Sequence, residues 1–215
     1  VRRRAVLLRI SQRHREVPPA IWRSFLEWIE AYAQKRPEAF AHLMQRHYDN
    51  GQVLKVGDRQ YKLQLHFKDR KTLGGKIKEG GELHLNLPRG YDPAQDQGRP
   101  IKQLISRLIA RDFYESIARR VDYWNDKYFG VDINKIVLKY NFYTWGSCSN
   151  KGNINLSTRL LFAPGAVIDY VIIHELAHFK EFNHSQRFWR IVEEIMPDYR
   201  KKEAWLKQHF YTYDF

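Results

Sequence analysis

The 215-residue chain has a single cysteine, Cys148, so no internal disulfide can staple it, and a lone thiol suits a reducing cytoplasm. It has no run of about 18 uninterrupted apolar residues, the length that a membrane-spanning helix needs. The opening Val1-Arg2-Arg3-Arg4 leads into apolar residues, but Arg9, Arg13, His14 and Arg15 cut them short of a secretory-signal core. Internal repeats and low-complexity segments are also missing. What is present belongs to a folded protein: 43% of residues are hydrophobic and 14% aromatic, which excludes wholesale disorder.

Acidic charge is scarce relative to basic, and the net charge is +13. The excess is uneven. Residues 164–215 carry seven Lys and Arg against eight Asp and Glu, so the basic surplus lies in the preceding 163 residues. Such a surplus either keeps a surface soluble or steers the protein to nucleic acid and acidic partners.

The hydrophobic pattern changes along the chain. Val6, Leu8 and Ile10 alternate as an edge strand would. Ile21, Phe25, Leu26 and Ile29 recur at helical spacing over residues 19–34, and a second helix is expected through Phe40, Leu43 and Met44. Three runs then alternate at period two, Val53–Val56, Tyr61–Leu65 and Leu83–Leu87. Gly57-Asp58, Gly74-Gly75 and Gly80-Gly81 stand as turns between them, which predicts a small antiparallel meander. A long helix follows from Ile101 to about residue 127, with Lys102, Arg107, Arg111, Arg119 and Arg120 on its charged face and Gly130 closing it. Two strands are expected at 135–140 and 152–158, and helices from Pro164 onward, broken at Asn183-His184 and at Met196-Pro197-Asp198. The fold class is α+β: an N-terminal part, 1–98, of strand, helices and meander, packed on a second part, 99–215.

Within the second part lies His174-Glu175-Leu176-Ala177-His178. Residues four apart on a helix sit one turn above each other, so His174 and His178 can offer two imidazoles to one ion while Glu175 lies beside it as a base. By composition alone the pattern arises about twice in a hundred such chains. Its context adds weight. Ala163-Pro164-Gly165 marks a helix start, and Val167, Ile168, Val171 and Ile172 give the helix a buried face. A third histidine, His184, comes ten residues after His174. An unbroken helix would carry it to the wrong face, so the chain must turn first, Asn183 tolerating the turn and Ser185 capping a new helix through Phe188, Trp189 and Val192. The third ligand is His184 or, alternatively, Glu193 or Glu194. Three protein ligands with an open fourth position make a catalytic zinc site, at which a water is activated and Glu175 takes its proton.

Further residues resemble a known family. Trp145-Gly146-Ser147-Cys148-Ser149, Gly152–Leu156, Leu160–Pro164, the histidine cluster into Asn183-His184-Ser185, Phe188-Trp189, Pro197-Asp198-Tyr199 and Trp205-Leu206 resemble the YgjP-like metallopeptidases over roughly residues 100–208. The resemblance implies a zincin-like catalytic core with one zinc ion on His174, His178 and His184 and Glu175 as general base, related to the SprT-like proteases that act on DNA-bound proteins. Thr144 and Thr158 depart from the family pattern, and both are expected in the cleft wall. In zincins an edge strand above the active-site helix pairs with the substrate backbone. Strand 152–158 is the expected one, with Asn153, Asn155 and Trp145 as substrate-binding residues. Cys148 is either a fourth ligand or latency switch, or a small packed residue; Tyr170 and Tyr199 either polarise the substrate carbonyl or pack structurally.

Two functions follow. The first is a cytoplasmic zinc metallopeptidase acting on proteins or peptides, including nucleic-acid-associated ones. The second is a basic nucleic-acid-binding protein with a structural or incidental zinc, where DNA or nucleoprotein meets the N-terminal half and helix 101–127.

Overall fold

A computed structural model of the chain describes residues 18–35, 48–92, 99–210 and 212–215. The strand at Val6–Ile10 and the helix through Phe40–Met44 lie outside these residues. Helix α1, Pro19–Lys35, forms as the periodicity predicts, but none of its side chains is buried.

The first sheet holds β1 (Val53–Val56), β2 (Arg59–Lys68), β3 (Gly74–Lys78) and β4 (Glu82–Pro88). Its order is β1-β2-β4-β3, so it is not a meander. The chain leaves β2, runs along the far edge as β3, and turns back at Glu79–Gly81 so that β4 enters between them. That places β2 and β4 parallel, Leu63 opposite Leu83 and Leu65 opposite Leu85. Gly74-Gly75 lies inside β3 rather than in a turn. A Cβ on Gly75 would stand 2.6 Å from the His84 carbonyl oxygen and 3.0 Å from Leu108 Cδ1, so the glycine permits close backbone approach inside a strand.

Helix α2, Arg99–Trp124, buries Ile101, Leu104, Ile105, Leu108 and Ile109 in the same core as Tyr61, Leu63, Leu83, Leu85 and Leu87 of the first sheet. One wide turn, Asn125–Phe129, ends it, and Gly130 caps it at φ +57°, donating to the Asn125 carbonyl at 2.8 Å. The second sheet comprises β5 (Lys135–Lys139), β6 (Gly146–Cys148) and β7 (Asn153–Ser157) in the order β5-β7-β6, with β7 parallel to β5 and antiparallel to β6. Helices α3 (Gly165–Ala177), α4 (Gln186–Ile195) and α5 (Tyr199–Gln208) complete the chain. The architecture is α+β with mixed sheets, and one continuous core runs from the first sheet through α2 to α3. No helix among the described residues is long and apolar enough to cross a membrane.

Candidate active site

Helix α3 is the platform of the site. Val167, Ile168, Tyr170, Val171, Ile172, Ile173, Glu175, Leu176 and Ala177 are all buried, so the helix is enclosed on nearly every side rather than along one stripe. A helix packed all round holds its side chains in fixed positions. Regular helix ends at Ala177. The amides of Phe179, Lys180 and Glu181 fold back on the Leu176 and Ala177 carbonyls at 3.0 Å, and the chain turns. Ser185 then caps α4, accepting from the Phe188 amide at 3.4 Å.

This turn returns the third histidine to the first two. His184 Nε2 lies 3.0 Å from His174 Nε2, and one ligand atom from each of His174, His178 and His184 falls within 4.8 Å of the others. Phe188, one helical turn after His184, packs 4.6–4.8 Å from all three rings, and Trp189 stacks on His184 at 5.7 Å. Glu193 and Glu194 are exposed on α4 and do not join this cluster.

The surroundings of His174 and His178 favour their neutral forms. Burial, then His178 and His184, push His174 down to about 3. Burial also pushes His178 down, against the opposing pull of the Glu181 and Phe182 backbone. Because a carbonyl only accepts, the 3.2 Å contact with the Glu181 oxygen makes His178 Nδ1 the donor and leaves the lone pair on Nε2. Glu175, on the same helix, is buried, and burial pushes its carboxyl up to about 8 while the Cys148 backbone N–H draws it down. Its Oε2 is buried without a hydrogen-bond partner, as is His174 Nδ1. Three imidazole nitrogens that converge, next to a carboxyl oxygen without a partner, fit a catalytic metal with three nitrogen ligands. A dication there would favour the ionised form of Glu175.

Other expected site residues sit elsewhere. Strand β7 is central, paired on both sides, so it has no free edge for a substrate; among the described residues β6 is the edge on the side of α3. Asn153 accepts from Asn134 at 2.9 Å and Asn155 donates to Ser147 at 3.2 Å. Trp145 packs edge-on against Phe210 and under the Arg159 guanidinium. Thr158 is fully buried, 2.7 Å from Ser106 of α2, and forms no cleft wall. Thr144 is exposed and accepts from Asn141 at 2.5 Å. Tyr170 and Tyr199 are buried and stack together. Cys148 lies outside the histidine cluster; burial and then the Glu175 charge push its thiol up to about 11, which disfavours a thiolate ligand.

A family model described as YgjP-like, metallopeptidase domain, matches residues 7–209. The chain belongs to the YgjP-like metallopeptidase family. It is therefore a peptidase with a metal cofactor and a protein or peptide substrate. No curated protein matches the chain. Among solved structures, it is similar to the metallopeptidase zymogen of Pyrococcus abyssi abylysin at 25% identity and a TM-score of 0.39, covering 42% of this chain and 90% of that one. The zymogen of Methanocaldococcus jannaschii jannalysin is similar at 23% identity and the same TM-score, with 43% and 94% covered. The nucleic-acid contact expected of this YgjP-like chain gains no support from the basic helix. Arg120 is engaged with Asp169 and Lys102 with Asp214, while Arg107, Arg111 and Arg119 face solvent.

Proposed function

We propose that this family member is a zinc peptidase whose ion is held by His174, His178 and His184, with Glu175 as general base and residues 99–215 as the catalytic part on which the first sheet packs. The observation that carries the reading is the convergence of the three histidine nitrogens at the turn between α3 and α4. Bound there, zinc would supply Lewis acidity toward the scissile carbonyl and would lower the pKa of a water toward about 7. Glu175 would take a proton at Oε2, the oxygen left without a partner, and pass it to the leaving amine. The enclosed α3 keeps the carboxylate in a dry setting, where it is a stronger base once ionised. Phe188 holds the rings apart from bulk water on one side. The strand-addition role falls to β6, whose outer edge adjoins α3, rather than to β7.

The ligand set has a direct test. His184→Ala is expected to lose stoichiometric zinc, a larger loss than the roughly 10–100-fold cost of outer-shell changes. Glu193→Gln and Glu194→Gln are expected to keep one equivalent, as measured by metal analysis after dialysis. Retention by His184→Ala, with loss in either glutamate variant, would move the third ligand to α4.

A further inference from the structure

The carboxylate of Glu175 lies directly against the Cα of Gly146. A Cβ built on Gly146 would meet Glu175 before anything else. It would stand 2.9 Å from Cδ and 2.9 Å from Cγ, and closer still to Oε1, below any distance that real Cβ atoms tolerate. All three of its nearest neighbours belong to Glu175. The backbone at Gly146 lies outside the left-handed region, so its conformation is open to any residue. The reason for a glycine here is the space that Glu175 occupies, not the path of the chain.

The same strand supplies a second restraint. In the β6–β7 pair, Trp145 offers its carbonyl and Ser149 its amide to β7. By the alternation of antiparallel pairing, Gly146 and Cys148 turn their backbone groups to the other edge. On that side the Cys148 N–H draws the Glu175 carboxyl down, against the effect of burial. One oxygen, Oε1, is thus backed by the glycine surface while Oε2 is left without a partner.

We infer that Gly146 is a positioning residue for the reaction: its bare Cα and the neighbouring Cys148 N–H form the wall that aims Glu175, so that Oε2 alone is presented to the reacting water. This rests on Glu175 being the base. The Trp145-Gly146-Ser147-Cys148 stretch acquires a chemical reason from this contact. Trp145 anchors the strand under Arg159, Gly146 makes room for the carboxylate, and Cys148 acts through its amide rather than its thiol.

The test is Gly146→Ala in the zinc-loaded enzyme. A displacement near 1 Å at a reacting group costs on the order of 10²-fold, and here the loss is expected in kcat, with KM within about threefold and zinc still stoichiometric. Shortening the acid in the same background, Gly146→Ala with Glu175→Asp, is expected to raise kcat above that of Gly146→Ala alone, although Glu175→Asp by itself lowers it. A glycine kept open for substrate would show the loss in KM and no such rescue, which overturns the inference. Stability gives an independent reading if Gly146→Ala folds poorly. Gly146→Ala is expected to lower the melting temperature in the wild type and to leave it within 1 °C in the Glu175→Ala background, because the clash partner is gone. An equal drop in both backgrounds also overturns it. Full activity of Glu175→Gln would instead remove the base assignment itself, which keeps the two failures apart.

Discussion

Glu175→Gln is expected to keep one equivalent of zinc and lose about 10²–10⁴-fold in kcat, the range that a positioned general base contributes. The amide matches the carboxylate in shape and can still sit against Gly146, so the platform and the three imidazoles stay in place. What it cannot do is accept a proton at the position of Oε2, which is buried without a hydrogen-bond partner. The expected pattern is therefore specific: unchanged metal content, unchanged thermal stability to within about 1 kcal/mol, and hydrolysis of a peptide library reduced to background. Stability has reason to rise slightly, since a buried carboxylate pushed up to about 8 is replaced by a neutral group. Wild-type cleavage by this variant would show that the proton is taken elsewhere.

Arg159→Met is expected to lower stability by about 3–5 kcal/mol, the usual consequence of dismantling a buried, hydrogen-bonded charge. Arg159 is 1% exposed. Its Nε donates to the Tyr213 carbonyl at 2.7 Å, Nη1 to that of Phe142 at 2.5 Å, and Nη2 to that of Phe210. The rings of Phe142, Trp145 and Phe210 stand 4.7, 4.8 and 5.1 Å from the guanidinium carbon. One side chain thus ties the C-terminal segment and the loop before β6 to the end of β7. Methionine fills much of the volume but leaves three carbonyls without this donor, each at a cost of about 1–3 kcal/mol. Arg159→Lys is expected to recover little, because an ammonium cannot reach three carbonyls in one plane. The denaturant midpoint measures this, and a shift equivalent to less than 1 kcal/mol would contradict it. Activity is expected to fall as well, since Trp145 leads directly into the Gly146 wall.

The half of the site that depends on local geometry was legible in the sequence. His174 and His178 follow from the helical repeat; a turn near Asn183 with the Ser185 cap allows His184 to join them, but Glu193 and Glu194 fit the residue pattern as well, and the family resemblance is what favours His184. The other half depends on which strand lies beside α3, and residue patterns do not carry that. Alternating Asn153, Ile154, Asn155 and Leu156 mark one wet face and one dry face, a pattern shared by edge strands and by central strands of an open sheet; β7 is the central one. β6 spans only Gly146–Cys148, too short to show any period. The contact between Gly146 and Glu175 joins residues 29 positions apart, and no local pattern announces it. The first sheet departs from the expected meander for a similar reason. The strands at 53–56, 61–65 and 83–87 were expected, but β3 was hidden because Gly75 reads as a turn unless its closeness to Leu108 is known. The long α2 helix and its Gly130 cap were plain, since ten buried positions at helical spacing leave no other assignment.

If a zinc ion at the three histidines drives peptide hydrolysis, cleavage must follow the metal. Cleavage of casein or a peptide library is followed for the purified chain, for the same sample after chelation, and after return of one equivalent of zinc. Cleavage is expected to be abolished by the chelator while circular dichroism still shows a folded core, and to recover with the single equivalent. Cleavage that persists in the metal-free protein, or no cleavage by the folded, zinc-loaded one, would contradict it.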